Sequence, residues 1–278
     1  MTTDFDAIFK AYDVRGTVPD QLDADGARAI GGAFSRFVAG QGAGSIVVGR
    51  DMRPEGEEFV AAFADGAMAH GVDVVDIGLC ATDMLYYASG VLQAPGAVFT
   101  ASHNPVGYNG IKMCLAEAAP IGADTGLGEI RDMAKAGPDP AARRGSRTEK
   151  DMLDGYVAHV HSFVDLDALA PLRVVADTAN GMGGLVLPAV MAGLPFEIDH
   201  LYAELDGTFP NHPADPIQPE NQRDLMARVL ETGADVGLAF DGDADRVFLV
   251  DENARGISGS LTTAMVARSI LEREPGAT

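Results

Sequence analysis

Short apolar runs of strand length alternate with longer amphipathic segments along most of the chain, and this alternation restricts the fold more than any other feature. Residues 22–39 carry Ala27, Ile30, Phe34, Phe37 and Val38 at helical spacing, and Gly40, Gly42 and Gly44 end the segment. Ser45-Ile46-Val47-Val48-Gly49 follows as a short buried strand. Residues 57–69 are a second helix with Phe59, Val60, Phe63 and Ala67 on one face; then come a strand from Val72 to Ile77, a helix over 83–92 and a strand from Gly96 to Thr100. Such alternation predicts layered α/β domains, with helices packed on a sheet.

Around this frame lie segments of different character. After a short start, Phe5 to Phe9, the polar run from Lys10 to Thr17 reads as a loop closed by Gly16. Between Ser102 and Leu115, Asn104-Pro105 and Asn109-Gly110 are turn signals, and a strand resumes at Ile111. Residues 124–136 read as a helix, and the Gly, Pro, Ala and Arg-rich stretch 136–147 as a boundary. The alternation then repeats: helix 149–164, strand 173–176, helix 183–193, strand 196–202, a Pro-rich loop 206–222, helix 222–232 and strand 236–240. Ile46-Val47-Val48-Gly49-Arg50-Asp51 and Val174-Val175-Ala176-Asp177 echo each other as Val-rich strands ending near Asp. A third unit opens after Val250, with a helix over 260–273 carrying Leu261, Ala264, Met265 and Leu271 on one arc. The expected units are 1–147, 148–252 and an incomplete 253–278, so the sequence reads as the front part of a longer protein.

Lys plus Arg number 20 against 41 Asp plus Glu, a formal charge of −21. So acidic a surface argues against nonspecific nucleic-acid or anionic-membrane binding. An anionic substrate requires a site that gathers positive charge locally. The two cysteines, Cys80 and Cys114, sit in apolar surroundings and read as buried free thiols in a reducing compartment. The acidic N-terminus is not a secretory signal, and no apolar run reaches the roughly 18 residues of a membrane span, so a cytoplasmic location is expected.

Asp241-Gly242-Asp243-Ala244-Asp245-Arg246 stands between two apolar runs, 236–240 and 247–250. Neighbouring carboxylates raise each other's pKa, and a bound divalent cation such as Mg²⁺, Ca²⁺ or Mn²⁺ is the simplest compensation. Three readings stand for the loop alone. An EF-hand loop fits Asp241, Asp243, Asp245 and Glu252 but not Arg246, where Gly is required, nor the strand-like flanks. A Mg²⁺-dependent phosphatase with Asp241 as nucleophile fits locally. A solvated acidic turn needs no ligand.

Three further stretches carry chemistry. In Thr100-Ala101-Ser102-His103-Asn104-Pro105, Ser102 leaves a buried strand in a turn, exposed as a nucleophile would be, although Ser and Asn are also ordinary turn formers. Lys112 follows the Asn-Gly turn and is either brought back to the Ser102 loop or an edge lysine. In Tyr12-Asp13-Val14-Arg15-Gly16, Arg15 suits an anion or is simply a surface arginine. Gly181-Met182-Gly183-Gly184 precedes a helix and fits phosphate approach and close packing equally well.

Taken together and in order, Phe9 to Gly16, Thr100 to Pro105, Asn109-Gly110-Ile111-Lys112 and Asp241 to Arg246 resemble the α-D-phosphohexomutases, within them the bacterial phosphomannomutase/phosphoglucomutase group. The resemblance runs through nearly the whole chain and identifies it as the N-terminal portion of such a protein. It implies two similar layered α/β domains with mixed sheets between helices, plus the start of a third, in a family with a fourth, different domain around a deep cleft. It places a phosphoserine loop in 1–147 and a metal-binding loop in 148–252.

The implied activity is interconversion of hexose 1-phosphate and hexose 6-phosphate, of mannose or glucose, through a phosphoserine and a hexose 1,6-bisphosphate that also serves as activator. Ser102 would carry the phosphoryl group, and Asp241, Asp243 and Asp245 would hold Mg²⁺ together with an oxygen of that serine. Arg15, Lys112 and Arg246 would surround the phosphoryl, with Lys112 a candidate for proton transfer. His103 and Asn104 would shape the loop, and Tyr12, Arg15, Asn104 and Lys112 would face substrate. A phosphoglucosamine mutase is the nearest alternative, and Tyr12-Asp13 argues against it. The family's Gly-Glu-x-Ser-Gly sugar loop and its Ser/Thr/Asn-rich phosphate clamp are both missing, so residues 1–278 alone are expected to turn over little or not at all.

Overall fold

The computed structural model of the protein describes residues 3–137 and 141–276. The first part runs α1 (Phe5–Ile8), β1 (Val14–Thr17), α2 (Ala24–Ala39), β2 (Ser45–Arg50), α3 (Gly56–Ala69), β3 (Asp73–Leu79), α4 (Thr82–Leu92), β4 (Gly96–Phe99), β5 (Tyr108–Cys114), α5 (Gly128–Ala136) and β6 (Arg147–Glu149). The second runs α6 (Leu153–His161), β7 (Leu172–Asp177), α7 (Gly183–Met191), β8 (Phe196–Leu201), α8 (Arg223–Thr232), β9 (Val236–Phe240), β10 (Val247–Asp251), β11 (Gly256–Ile257) and α9 (Gly259–Arg273).

Two mixed sheets result, ordered β1-β5-β4-β2-β3-β6 and β11-β10-β9-β7-β8. Within each lies the same four-strand core. β4, β2 and β3 are parallel with β5 antiparallel beside β4; β9, β7 and β8 are parallel with β10 antiparallel beside β9. The echo between residues 46–51 and 174–177 is therefore a topological one, because β2 and β7 occupy the same central place. The loop after β4 and the loop after β9 are likewise equivalent, each at the carboxyl end of a parallel strand beside an antiparallel one. Such ends are where α/β sheets place their ligands.

Local rules explain most elements. Asp23 caps α2 by accepting from the Gly26 amide at 2.8 Å, and Ala27, Ile30, Phe34 and Val38 bury one stripe of it. Ile8, Phe34, Phe63 and Phe99 are fully buried in a cluster on one face of the first sheet. On the other face Val47, Met84, Leu85 and Val98 pack with Met182, which precedes α7, and Val186 within it. This second cluster joins the two units: burying Met182 and Val186 contributes about 1.5–3 kcal/mol each. A smaller cluster, Val175, Leu225, Val229 and Val250, packs α8 on the second sheet.

The structure departs from the sequence reading at four places. Val14–Thr17 is a strand rather than a loop, paired antiparallel with Tyr108–Ile111; a strand with one large apolar side chain has no readable periodicity and is made by its partner. Asn109-Gly110 lies inside β5, not in a turn. Gly110 is required there because a Cβ would sit 2.3 Å from the Val14 carbonyl oxygen and 2.8 Å from that of Thr100. The expected helix 124–136 begins as an irregular turn, Ala123–Leu127, with Gly126 at φ 121°, and is helical only from Gly128. The expected helix 149–164 starts at Leu153, because Arg147–Glu149 pairs parallel with β3 and so straddles the 147/148 boundary. Part of the 136–147 boundary stretch lies outside the described residues.

Leu261, Met265, Val266, Ile270 and Leu271 of α9 are all exposed. Among the described residues, no helix is long and apolar enough to cross a membrane.

Candidate active site

The two equivalent loops meet face to face. Ser102 follows β4 and Asp241 follows β9, and the Ser102 hydroxyl donates to Asp241 Oδ2 at 2.8 Å. The approach is close enough to demand glycine at 242, where a Cβ would lie 2.5 Å from the Ser102 carbonyl oxygen. Ser102 itself has φ 51°, a left-handed conformation that costs a β-carbon-bearing residue about 1 kcal/mol or more. Its amide donates to Thr100 Oγ1 at 2.9 Å. The sequence reading has Ser102 exposed, but the structure leaves it 4% exposed. The covering groups come from the second unit, which no local pattern reveals.

Asp241 is fully buried and heavily used. Its Oδ2 also accepts from Arg246 Nη2 at 2.6 Å and Nε at 2.9 Å, and its Oδ1 accepts from the Arg246 amide at 3.1 Å. Burial, followed by the charges of Asp243 and Asp245, pushes the Asp241 carboxyl up to about 7. Asp243 Oδ2 accepts from Thr82 Oγ1 and from Lys112 Nζ, each at 2.6 Å, while the buried Asp243 Oδ1 has no hydrogen-bond partner among the described residues. Burial opposes charge on Asp243, but the Lys112 ammonium and the hydrogen bonds from Lys112 and Thr82 outweigh it and hold this carboxyl below its ordinary range. Asp245 is the outermost of the three and accepts from Lys112 Nζ at 2.6 Å.

Asp241, Asp243 and Asp245 each offer an oxygen within 4.8 Å of the others. An orphaned carboxylate oxygen inside an all-oxygen cluster is what a hard divalent cation needs. The three residues fit a metal.

The other expected residues divide. Lys112 does return to the site: the charges of Asp243 and Asp245 overcome its burial and raise its pKa, so it stays an ammonium. Arg246 Nη2 reaches Ser102 Oγ at 3.1 Å and His103 Nδ1 at 2.5 Å. Burial and then the Arg246 charge lower the His103 pKa, keeping the imidazole neutral. Arg15 donates to Asn104 Oδ1 at 2.5 Å and pairs with Asp13, so both Arg15 and Asn104 belong to the Ser102 loop's surroundings. Tyr12 is 83% exposed. It lines a cleft of about 410 Å³ with Asp13, Tyr86, Lys112 and Met113, away from Ser102 itself. The glycines at 181–184 serve packing: a Cβ on Gly181 would meet the Gly242 carbonyl oxygen at 2.7 Å, and one on Gly184 that of Ala203 at 2.1 Å.

Three residues escaped the sequence reading. Thr82 holds Asp243, and its signal was weak, a threonine at a helix start. Asp51 and Arg53 are buried beneath the Ser102 loop. They had a readable signal, a charged pair immediately after the central strand β2, where binding groups gather in such sheets.

Two family models match the chain: "Phosphoglucomutase/phosphomannomutase, alpha/beta/alpha domain I" over residues 6–139 and the corresponding domain II over 154–256. The chain belongs to the phosphoglucomutase/phosphomannomutase family. It is 42% identical over 273 residues to the phosphohexose mutases protein of Xanthomonas campestris pv. campestris, covering 96% of this chain and 60% of that one. It is 40% identical to a phosphomannomutase of Salmonella montevideo, covering 97% of this chain and 60% of the relative. Among solved structures, a phosphoglucomutase/phosphomannomutase family protein from Burkholderia thailandensis superposes with TM-score 0.92 at 38% identity, covering 99% of this chain and 61% of that one. The chain thus spans about 60% of the length of the relatives it matches.

Proposed function

We propose that this phosphoglucomutase/phosphomannomutase family chain carries the phosphoryl-transfer half of a hexose phosphate mutase. In this reading Ser102 is the phosphoryl carrier in the interconversion of hexose 1-phosphate and hexose 6-phosphate through a hexose 1,6-bisphosphate. The observation that carries it is the hydrogen bond from Ser102 to Asp241 at 2.8 Å, with Arg246 Nη2 3.1 Å from the same hydroxyl. In this reading Ser102 and Arg246, 144 positions apart in sequence, act as the carrier and its charge-neutralising group.

Asp241, Asp243 and Asp245 would hold Mg²⁺, with Ser102 completing the set. The bound ion would neutralise charge on the phosphoryl oxygens. Phosphoryl transfer spreads negative charge over equatorial oxygens, so catalysis rests on positioning and on fixed cations. Arg246 supplies one at Ser102, and neutral His103 accepts its hydrogen bond and holds it there. Arg15, tied to Asn104, supplies a second beside the loop. Lys112, kept protonated, supplies a third and gives the proton that the departing oxygen takes. As the serine P–O bond breaks, a P–O bond forms to the sugar hydroxyl oxygen, whose released proton restores the Lys112 ammonium, and the reverse step returns the other phosphate to Ser102. Tyr12 and Lys112 line the cleft from which the sugar approaches.

The domain limits belong to this proposal as 1–147, 148–252 and an opening third unit from 253. The two buried free thiols, Cys80 and Cys114, fit a reducing compartment.

The test is phosphoryl mapping by mass spectrometry on the full-length protein incubated with a hexose 1,6-bisphosphate and Mg²⁺. Label is expected on Ser102, and Ser102→Ala is expected to lose label and at least about 10³-fold in turnover while folding normally. Label on Asp241 would overturn the reading in favour of a phosphatase. The three donors on Asp241 Oδ2 speak against a free nucleophile there.

A further inference from the structure

The loop that carries Ser102 has almost no regular backbone pairing, yet three of its carbonyls and that of Tyr108, where β5 begins, converge on one guanidinium. Arg53 Nη2 donates to the carbonyl oxygens of Ser102 at 3.0 Å and Asn104 at 2.7 Å. Its Nη1 donates to those of Pro105 at 3.1 Å and Tyr108 at 2.9 Å. Nε donates to Asp51 Oδ2 at 3.2 Å, so every N–H of the fork is engaged. Asp51 Oδ1 in turn accepts from the Arg53 amide at 2.9 Å. Arg53 is 2% exposed and Asp51 fully buried.

The pair also touches the second unit. The guanidinium lies 5.2 Å from the centre of the Phe209 ring. A Cβ on Gly207 would fall 2.7 Å from Arg53 Cα. The Pro-rich 206–222 loop therefore packs directly on the residue that holds the Ser102 loop. An ion pair this deeply buried is a poor device for stability alone, since apolar residues of similar volume do as well or better.

We propose that Arg53 is a positioning residue for phosphoryl transfer at Ser102, and that Asp51 holds it in register. This rests on the reading of Ser102 as the phosphoryl carrier. Ser102 is fixed in its left-handed conformation from both sides, by Thr100 at its amide and by Arg53 at its carbonyl. That conformation aims the hydroxyl at Asp241. Lysine keeps the charge at 53 but lacks the planar fork, and cannot bind four carbonyls and a carboxylate at once. A misplacement of the reacting group by about 1 Å costs on the order of 10²-fold in rate. Arg53 is buried with every N–H of its fork on protein oxygens, which leaves it no donor for a substrate, so the loss falls on kcat and not on KM.

The experiment compares wild type, R53K, D51N and S102A in the full-length protein. It measures hexose 1-phosphate isomerisation with Mg²⁺ and a hexose 1,6-bisphosphate, and the folded fraction by circular dichroism at the assay temperature. R53K is expected to lose about 100-fold in kcat and D51N about 10-fold, both with KM within about threefold of wild type. Folded variants that keep kcat within threefold of wild type, or that lose activity through KM, overturn the proposal. So does a loss that the unfolded fraction accounts for. Should R53K not fold, D51N decides alone by the same criteria. A wild-type protein that takes no phosphate on Ser102, or an S102A variant that turns over normally, instead overturns the site reading itself, and this is seen without any Arg53 variant.

Discussion

Replacing Lys112 by methionine probes the charge balance of the acidic cluster. Lys112 Nζ lies 2.6 Å from both Asp243 Oδ2 and Asp245 Oδ2, with its own side chain 15% exposed. Asp243 is 1% exposed, so Lys112→Met leaves a buried carboxylate without its cation, and breaking a buried pair from one side costs about 3–5 kcal/mol. Asp245 is 25% exposed and adds at most about 1 kcal/mol. Protonation sets a ceiling. From a reference value of 3.8, a carboxyl that simply stays neutral at about pH 7.5 loses roughly 1.4 kcal/mol per pH unit, or about 5 kcal/mol. The expected loss in EDTA is therefore about 3–5 kcal/mol, a large part of the roughly 5–15 kcal/mol of a typical domain.

A divalent ion would replace the missing cation, so Mg²⁺ should stabilise K112M more than wild type, through the usual dependence on ligand concentration over Kd. The assay is urea unfolding followed by circular dichroism, in EDTA and in millimolar MgCl₂. A K112M midpoint in EDTA equal to wild type would refute the charge argument. Equal Mg²⁺ gains for both proteins would refute the claim that Lys112 and the metal neutralise the same carboxylates.

With Asp241 pushed up to about 7 from 3.8, the folded chain keeps a proton that the unfolded chain has released between those values. Stability in EDTA should therefore be fully present below about pH 4 and decline as pH rises toward about 7, and Asp241→Asn should flatten the decline in urea titrations. Asp243, held low by Lys112, acts oppositely and loses its contribution only as pH falls below the ordinary carboxyl range. Gly242→Ala should lower stability by about 1–3 kcal/mol, because its Cβ meets the Ser102 carbonyl oxygen at 2.5 Å; an unchanged thermal midpoint would refute that contact. Asp243→Asn should weaken Mg²⁺ binding by at least about tenfold in calorimetry, and unchanged affinity would count against the three carboxylates as the metal site.

Much of the fold was legible because its strands are buried on both faces. Ile46-Val47-Val48 and Val174-Val175-Ala176 need no partner to announce themselves. Val14–Thr17 was not legible, because its strand character comes from β5. Asn109-Gly110 misled for a related reason: the glycine answers to two neighbouring backbones rather than to a turn. In the site, the reactive groups were readable as residue types, Ser102 at a strand exit and three alternating carboxylates. The charged pair Asp51 and Arg53 is readable by its place after β2, but the role of Arg53 is not, because contacts to main-chain carbonyls leave no sequence pattern.

Sequence alone determines the alternation, the echo between residues 46–51 and 174–177, and the chemistry each loop can offer, since these depend on side-chain pattern over a few residues. Only the tertiary structure decides that the loops after β4 and β9 face each other, for this requires the shared cluster of Val47, Met84, Leu85, Met182 and Val186 to lock the two units together. Burial then follows from that packing. It pushes both Asp241 and Asp243 up, and they part because Lys112 and Thr82 reach Asp243 and hold it low, while the charges of Asp243 and Asp245 push Asp241 further up.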